Sequence, residues 1–141
     1  MALPSVVAWR ARRTLVAALD DAQSVTLEQF TSIGRKVVAS QTISPSDYPK
    51  LRRAFPYSVN YGVFVDYGFV RLQKACFVPH HRVVIATHDG NSFACQICFT
   101  CDMYSMPTVG INNMPVGWST TLRTLFRDAG ISTDAPKEVF L

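Results

Sequence analysis

Cys95, Cys98 and Cys101 recur at every third position, and Cys76, His80, His81 and His88 lie upstream of them. Thiolates and neutral imidazoles are the donors that tetrahedral zinc takes, so Cys76, His80 or His81, Cys95 and Cys98 form the set best suited to hold a metal. A second chemistry uses the same residue types. A thiol with an imidazole in reach can attack a carbonyl, and Cys98 with His88 is the pair that a hairpin could bring together.

Both readings lack parts. No second CxxC accompanies the first, no turn glycine separates the paired cysteines, and the fourth Cys and following Pro of a bacterial ferredoxin run are missing. A nucleophile on a strand has no helix N-terminus to lower its pKa, and no oxyanion-hole loop is evident. A Gly-rich phosphate loop, HExxH and a paired-carboxylate constellation are likewise absent from the sequence.

The residues between the cysteines point elsewhere. After Asp89-Gly90, a dipeptide that favours a two-residue turn, Phe93, Cys95, Ile97, Phe99, Cys101 and Met103 alternate with Ser92, Ala94, Gln96, Cys98, Thr100 and Asp102. That period of two marks a half-buried strand. A strand rises roughly 3.3 Å per residue, which would put Cys95 and Cys101 about 20 Å apart with Cys98 on the other face. Three thiols so placed cannot converge on one ion unless the strand breaks. The expectation is therefore no catalytic residue and no cofactor, the thiols filling a core as small hydrophobes, with zinc as the alternative.

The chain around this stretch has 141 residues, 48% of them hydrophobic, which suits one domain spanning 1–141 with a substantial core. No low-complexity tract or internal repeat appears, and no run of about 18 apolar residues exists to span a bilayer. Four unevenly spaced cysteines do not form the framework of a small secreted domain, so a reducing compartment is expected. The net charge is +4, carried in short basic groups: Arg10, Arg12 and Arg13; Lys50, Arg52 and Arg53; Arg71 and Lys74; Arg123 and Arg127. Solvated faces explain such groups, while an acidic partner, RNA or peripheral contact with anionic lipid would also use them. For nucleic acid, Tyr57, Tyr61, Phe64 and Tyr67 would have to stack bases from an exposed sheet.

The positioning elements follow from periodicity. Residues 5–19 form a basic amphipathic helix, with Val7, Ala8, Ala11, Leu15, Ala18 and Leu19 on one side and Arg10, Arg13 and Ala17 opposite. Its three arginines and lack of acids match a mitochondrial targeting segment, here one that would act without cleavage. Thr26 with Gln29 makes a capping box, and Val25 with Phe30 a hydrophobic staple, which predicts a second helix to about residue 40. Pro49 suits the start of a short helical segment. Residues 57–66 and 69–78 read as a first hairpin about Asp66-Tyr67-Gly68, residues 82–87 as a third strand, and the cysteine stretch as a fourth. Residues 106–118 read as an irregular loop, and Ser119 as the cap of a last helix that stops at Gly130.

Together these elements predict an α+β domain: two N-terminal helices within 1–56, a four-stranded antiparallel meander within 57–104, and a helix and tail within 105–141 packed on the sheet. The function that fits is a non-catalytic accessory subunit of a multiprotein assembly, with a mitochondrial complex as its setting. Its partner-facing candidates are Arg10, Arg12, Arg13, Arg52, Arg53, Trp118, Phe140 and Leu141. Two alternatives stay open: a zinc-stabilised nucleic-acid-binding regulator of viral type, and a small cysteine-dependent hydrolase.

Overall fold

Six antiparallel strands form one sheet in the computed structural model, which describes residues 4–55, 77–115 and 117–137. The elements are α1 (Pro4–Asp20), β1 (Ala22–Phe30), β2 (Val37–Ile43), a 3-10 turn (Pro45–Asp47), α2 (Tyr48–Ala54), β3 (His81–Thr87), β4 (Ser92–Cys98), β5 (Met103–Met106), β6 (Gly110–Asn113) and α3 (Trp118–Asp128). The sheet order is β2-β1-β3-β4-β5-β6. The class is α+β, but with a different division into helices and strands from the one the sequence predicts.

The largest correction is at residues 26–40. The capping box and staple there do not start a helix; β1 and β2 pair as a hairpin instead. Val25, Leu27 and Gln29 are buried while Thr26 and Glu28 are half exposed, so the operative period is two. Thr26 faces Thr42 across the pair, with hydroxyls 3.4 Å apart. Local helix signals amount to about 1 kcal/mol, which pairing on both flanks with β2 and β3 overrides. Gly34, unfavourable inside a helix, sits in the connecting turn at φ +74°, where its lack of a Cβ is an advantage.

The predicted third strand corresponds to β3, and the Asp89-Gly90 turn delivers β4 in register, with Val83 opposite Cys95 and Ile85 opposite Phe93. The fourth strand stops early. Residues 99–102 form a turn in which Asp102 takes φ +54°, and the chain returns as β5 against β4. The expected loop at 106–118 contains β6, paired with β5 from Met106 opposite Gly110 to Met103 opposite Asn113. Two residues with positive φ, Thr108 and Gly110, make the tight link. The hairpin expected over residues 57–78 lies outside the described residues, except for 77 and 78, which lead into β3 without regular structure.

The helices cover one face of the sheet. Ala11, Leu15 and Leu19 of α1, Leu51, Ala54 and Phe55 at α2, and Leu122, Leu125 and Phe126 of α3 share a single core with Val25, Leu27, Val83, Ile85, Cys95, Ile97 and Tyr104. Each fully buried aliphatic side chain there contributes about 1.5–3 kcal/mol relative to exposure. Trp118 closes the α2–α3 contact, with Phe55 edge-on at 5.0 Å and Tyr104 at 5.3 Å. Gly117, at φ +94°, precedes α3 in place of the expected Ser119 cap; the Ser119 hydroxyl instead donates to Asp102 at 2.8 Å. The C-terminal stop is as predicted. Gly130 N–H donates to Arg127 and Ile131 N–H to Phe126, the paired bonds of a left-handed glycine cap.

Candidate partner-docking surface

Among the described members of the metal set, the two cysteines do not converge. Cys95 belongs to the core on the helix-covered face of β4, whereas Cys98, three positions on, points to the opposite face. Burial alone pushes the Cys95 thiol far above its ordinary pKa, so it is a neutral packing group. Cys101 is half-buried in the turn after β4, and Cys76 lies outside the described residues. Among the described residues, no three His, Cys, Asp or Glu side chains gather as a metal would require.

The thiol–imidazole pair is also kept apart. His88 sits in the β3–β4 turn and Cys98 at the far end of β4, a separation of about 20 Å at the usual strand rise. The other two histidines are engaged by backbone: His80 Nδ1 lies 3.2 Å from the Phe30 carbonyl, and His81 Nε2 lies 2.7 Å from that of Ser132. That geometry makes His81 Nε2–H a donor. Burial between Phe99 and Phe126 lowers the His81 pKa and favours the neutral ring.

The basic candidates divide. Arg10 and Arg13 are exposed on α1, and Arg53 on α2. Arg12 Nε donates to the Phe55 carbonyl at 2.9 Å, and Arg52 pairs with Asp20 at 2.7 Å, so these two tie α2 to α1. Trp118 is a correction, since it is 1% exposed and packs the interior instead of facing a partner. Phe140 and Leu141 lie outside the described residues.

Among the described residues, the large exposed apolar side chains besides Val78 lie on two elements. Val6 and Trp9 are on α1. Ile33, Val37 and Val38 are on the β1–β2 hairpin, a surface hidden from sequence reasoning by the helix prediction. Among the described residues β2 pairs with β1 alone, so half of its backbone N–H and C=O groups point away from the sheet. From Val37 to Ile43 it carries no charge and no proline to keep the edge from pairing, and a register shift opposite Gln29 and Phe30 leaves Val38 as an extra residue at the start of the strand. Arg35 and Lys36, in the turn just before it, stand at one end. Arg35 lies 5.7 Å over the Phe30 ring, which Arg82 flanks at 4.6 Å. Such an edge can accept an extended segment by backbone hydrogen bonding, with Val37 and Val38 to contact apolar side chains.

No family model, curated protein or solved structure matches this chain. The edge strand and its side chains are therefore the basis for a functional reading.

The missed signal lay in residues 24–30. Val25, Leu27 and Gln29 alternate with Ser24, Thr26 and Glu28, a period of two inside a segment whose ends carried helix punctuation.

Proposed function

We propose that this protein is a non-catalytic accessory subunit that joins a larger assembly by accepting an extended strand from a partner protein along β2. The observation that carries the reading is an uncharged seven-residue edge strand, β2, with Val37 and Val38 exposed at 39% and 47%. The partner segment would be apolar and β-branched, with an acidic residue opposite Lys36. A mitochondrial complex is the setting that the basic, acid-poor N-terminal helix suggests.

Cys95 and Cys98 lie on opposite faces of β4, and His88 lies at the end of β4 far from Cys98, which makes a zinc site on the predicted set or a Cys98–His88 hydrolase the weaker reading. The test is to express the tagged chain in its native host and compare it with Ser40→Pro and Val38→Lys variants by native gel filtration. Ser40 and Val38 are both exposed, so the isolated variants should change stability by no more than about 0.5 kcal/mol for Val38→Lys and somewhat more for the proline. The original chain should elute in a complex, and the variants as free chains with unchanged circular dichroism. Elution of the original as a free chain, or retention of both variants in the complex, would overturn the proposal.

A further inference from the structure

We infer that α1 is a second docking surface, and that its occupant is an anionic phospholipid bilayer. Among the described side chains of α1 the exposed ones are Val6, Trp9, Arg10, Arg13, Ala17 and Asp20. At 3.6 residues per turn they fall within about 100° of the helix circumference, directly opposite the buried Ala11, Leu15 and Leu19. The helix therefore presents one continuous stripe to solvent while its other side holds it to the domain.

The chemistry of that stripe is graded along the helix. Val6 and Trp9 are 43% and 41% exposed, and Arg10 and Arg13 lie beside them. The Arg13 guanidinium rests 5.2 Å from the centre of the Trp9 ring, so cation and aromatic act as one unit. Asp20 is the single acid in α1, and Arg52 pairs with it at 2.7 Å, so among the described residues no ion pair neutralises Arg10 or Arg13.

An indole with an aliphatic neighbour and flanking arginines suits the boundary between headgroups and acyl chains, where the rings insert and the cations meet phosphate. RNA offers phosphate as well, but Val6 and Ala17 would have no base to stack on, which favours the bilayer. The surface is independent of β2 and would anchor the subunit while that edge holds its partner.

The test is flotation of the full chain with vesicles of phosphatidylcholine, alone or with phosphatidylserine. The chain should float with the mixed vesicles and stay behind with the neutral ones. Replacing Arg10→Ala and Arg13→Ala together should weaken partitioning roughly 30-fold, each basic residue near such a surface adding about a factor of five. Acyl-brominated lipid should quench Trp9 and spare the buried Trp118, an assignment that Trp9→Phe checks. Failure to float, equal flotation with neutral vesicles, indifference to the arginine changes, or tighter binding to single-stranded RNA than to vesicles would each overturn the inference.

Discussion

Gln29 and His81 stand directly opposite one another on β1 and β3, and both side chains hold the same C-terminal segment. Gln29 Nε2 donates to the Asp134 carbonyl at 2.9 Å, and His81 Nε2 to that of Ser132 at 2.7 Å. Ile131 and Thr133 are buried alongside. The segment after α3 is thus fixed to the sheet by two buried polar side chains.

Replacing Gln29 by Ala should cost about 0.5–1.5 kcal/mol, the net worth of one such hydrogen bond. The loss should be local. Amide exchange should quicken at residues 131–134 and stay slow in β3 and β4, a pattern that exchange by NMR resolves. Equal acceleration throughout the sheet would contradict this account of the contact.

His81 makes stability depend on pH with a definite sign. Its pKa is lowered chiefly by burial, with His80 and Arg123 acting in the same direction, while the Ser132 bond and Asp134 oppose them. Below the ordinary imidazole value near 6.5 the unfolded chain binds a proton that the folded chain resists. Stability should be fully present above that value and decline as pH falls from there through the lowered folded value. Urea midpoints measured from pH 8 to pH 5 should show this slope, and His81→Gln should flatten it.

Tyr104 offers a stabilising change. Its hydroxyl is buried without a hydrogen-bond partner among the described residues, and burial together with nearby Cys95 raises its pKa. Tyr104→Phe removes that group and keeps the ring against Trp118. The variant should be as stable as the parent or more so, by up to about 1–3 kcal/mol in urea unfolding.

Cys95 should resist thiol reagents in the native protein and react only when unfolding is allowed. Cys95→Ser should be less stable than Cys95→Ala, because it places a hydroxyl among Val83, Leu27 and Ile97 at a cost of about 1–3 kcal/mol. Unfolding curves for the two variants decide the order.

Leu15→Ala, in the middle of α1, should cost about 2–5 kcal/mol by leaving a cavity in the core. The same packing means that cutting away residues 1–20 would uncover the inner face of the sheet, so α1 is a part of the working fold. Thermal unfolding of both forms measures this.

Much of this architecture was legible from local pattern. The α1 stripe, the Pro49 segment, the Asp89-Gly90 turn and the Gly130 stop each depend on neighbours within a few residues, where spacing and φ preference carry the information. Residues 26–40 were not, because the choice between helix and hairpin is made by β3, a strand whose Arg82 meets Glu28 from 54 positions away. The break after Cys98 was missed for a related reason. Alternation continues in the letters through Met103, while the backbone reverses at Asp102 to pair β5 with β4. The polar residues facing the core, Gln29 and His81, gain meaning only from the tail they hold.

The sheet order sets the sequence of events in folding. Every neighbouring pair of strands is joined by a short link except β1 and β3, which are separated by residues 31–80, β2, the 3-10 turn and α2 among them. Closing so long a loop costs entropy before any contact rewards it, whereas the hairpins on either side nucleate locally. The β1–β2 pair and the β3–β6 run should therefore form as two early units that merge late. Mutations at Leu27 or Val83, on the seam between them, should slow folding less, and speed unfolding more, than equally destabilising changes within either unit.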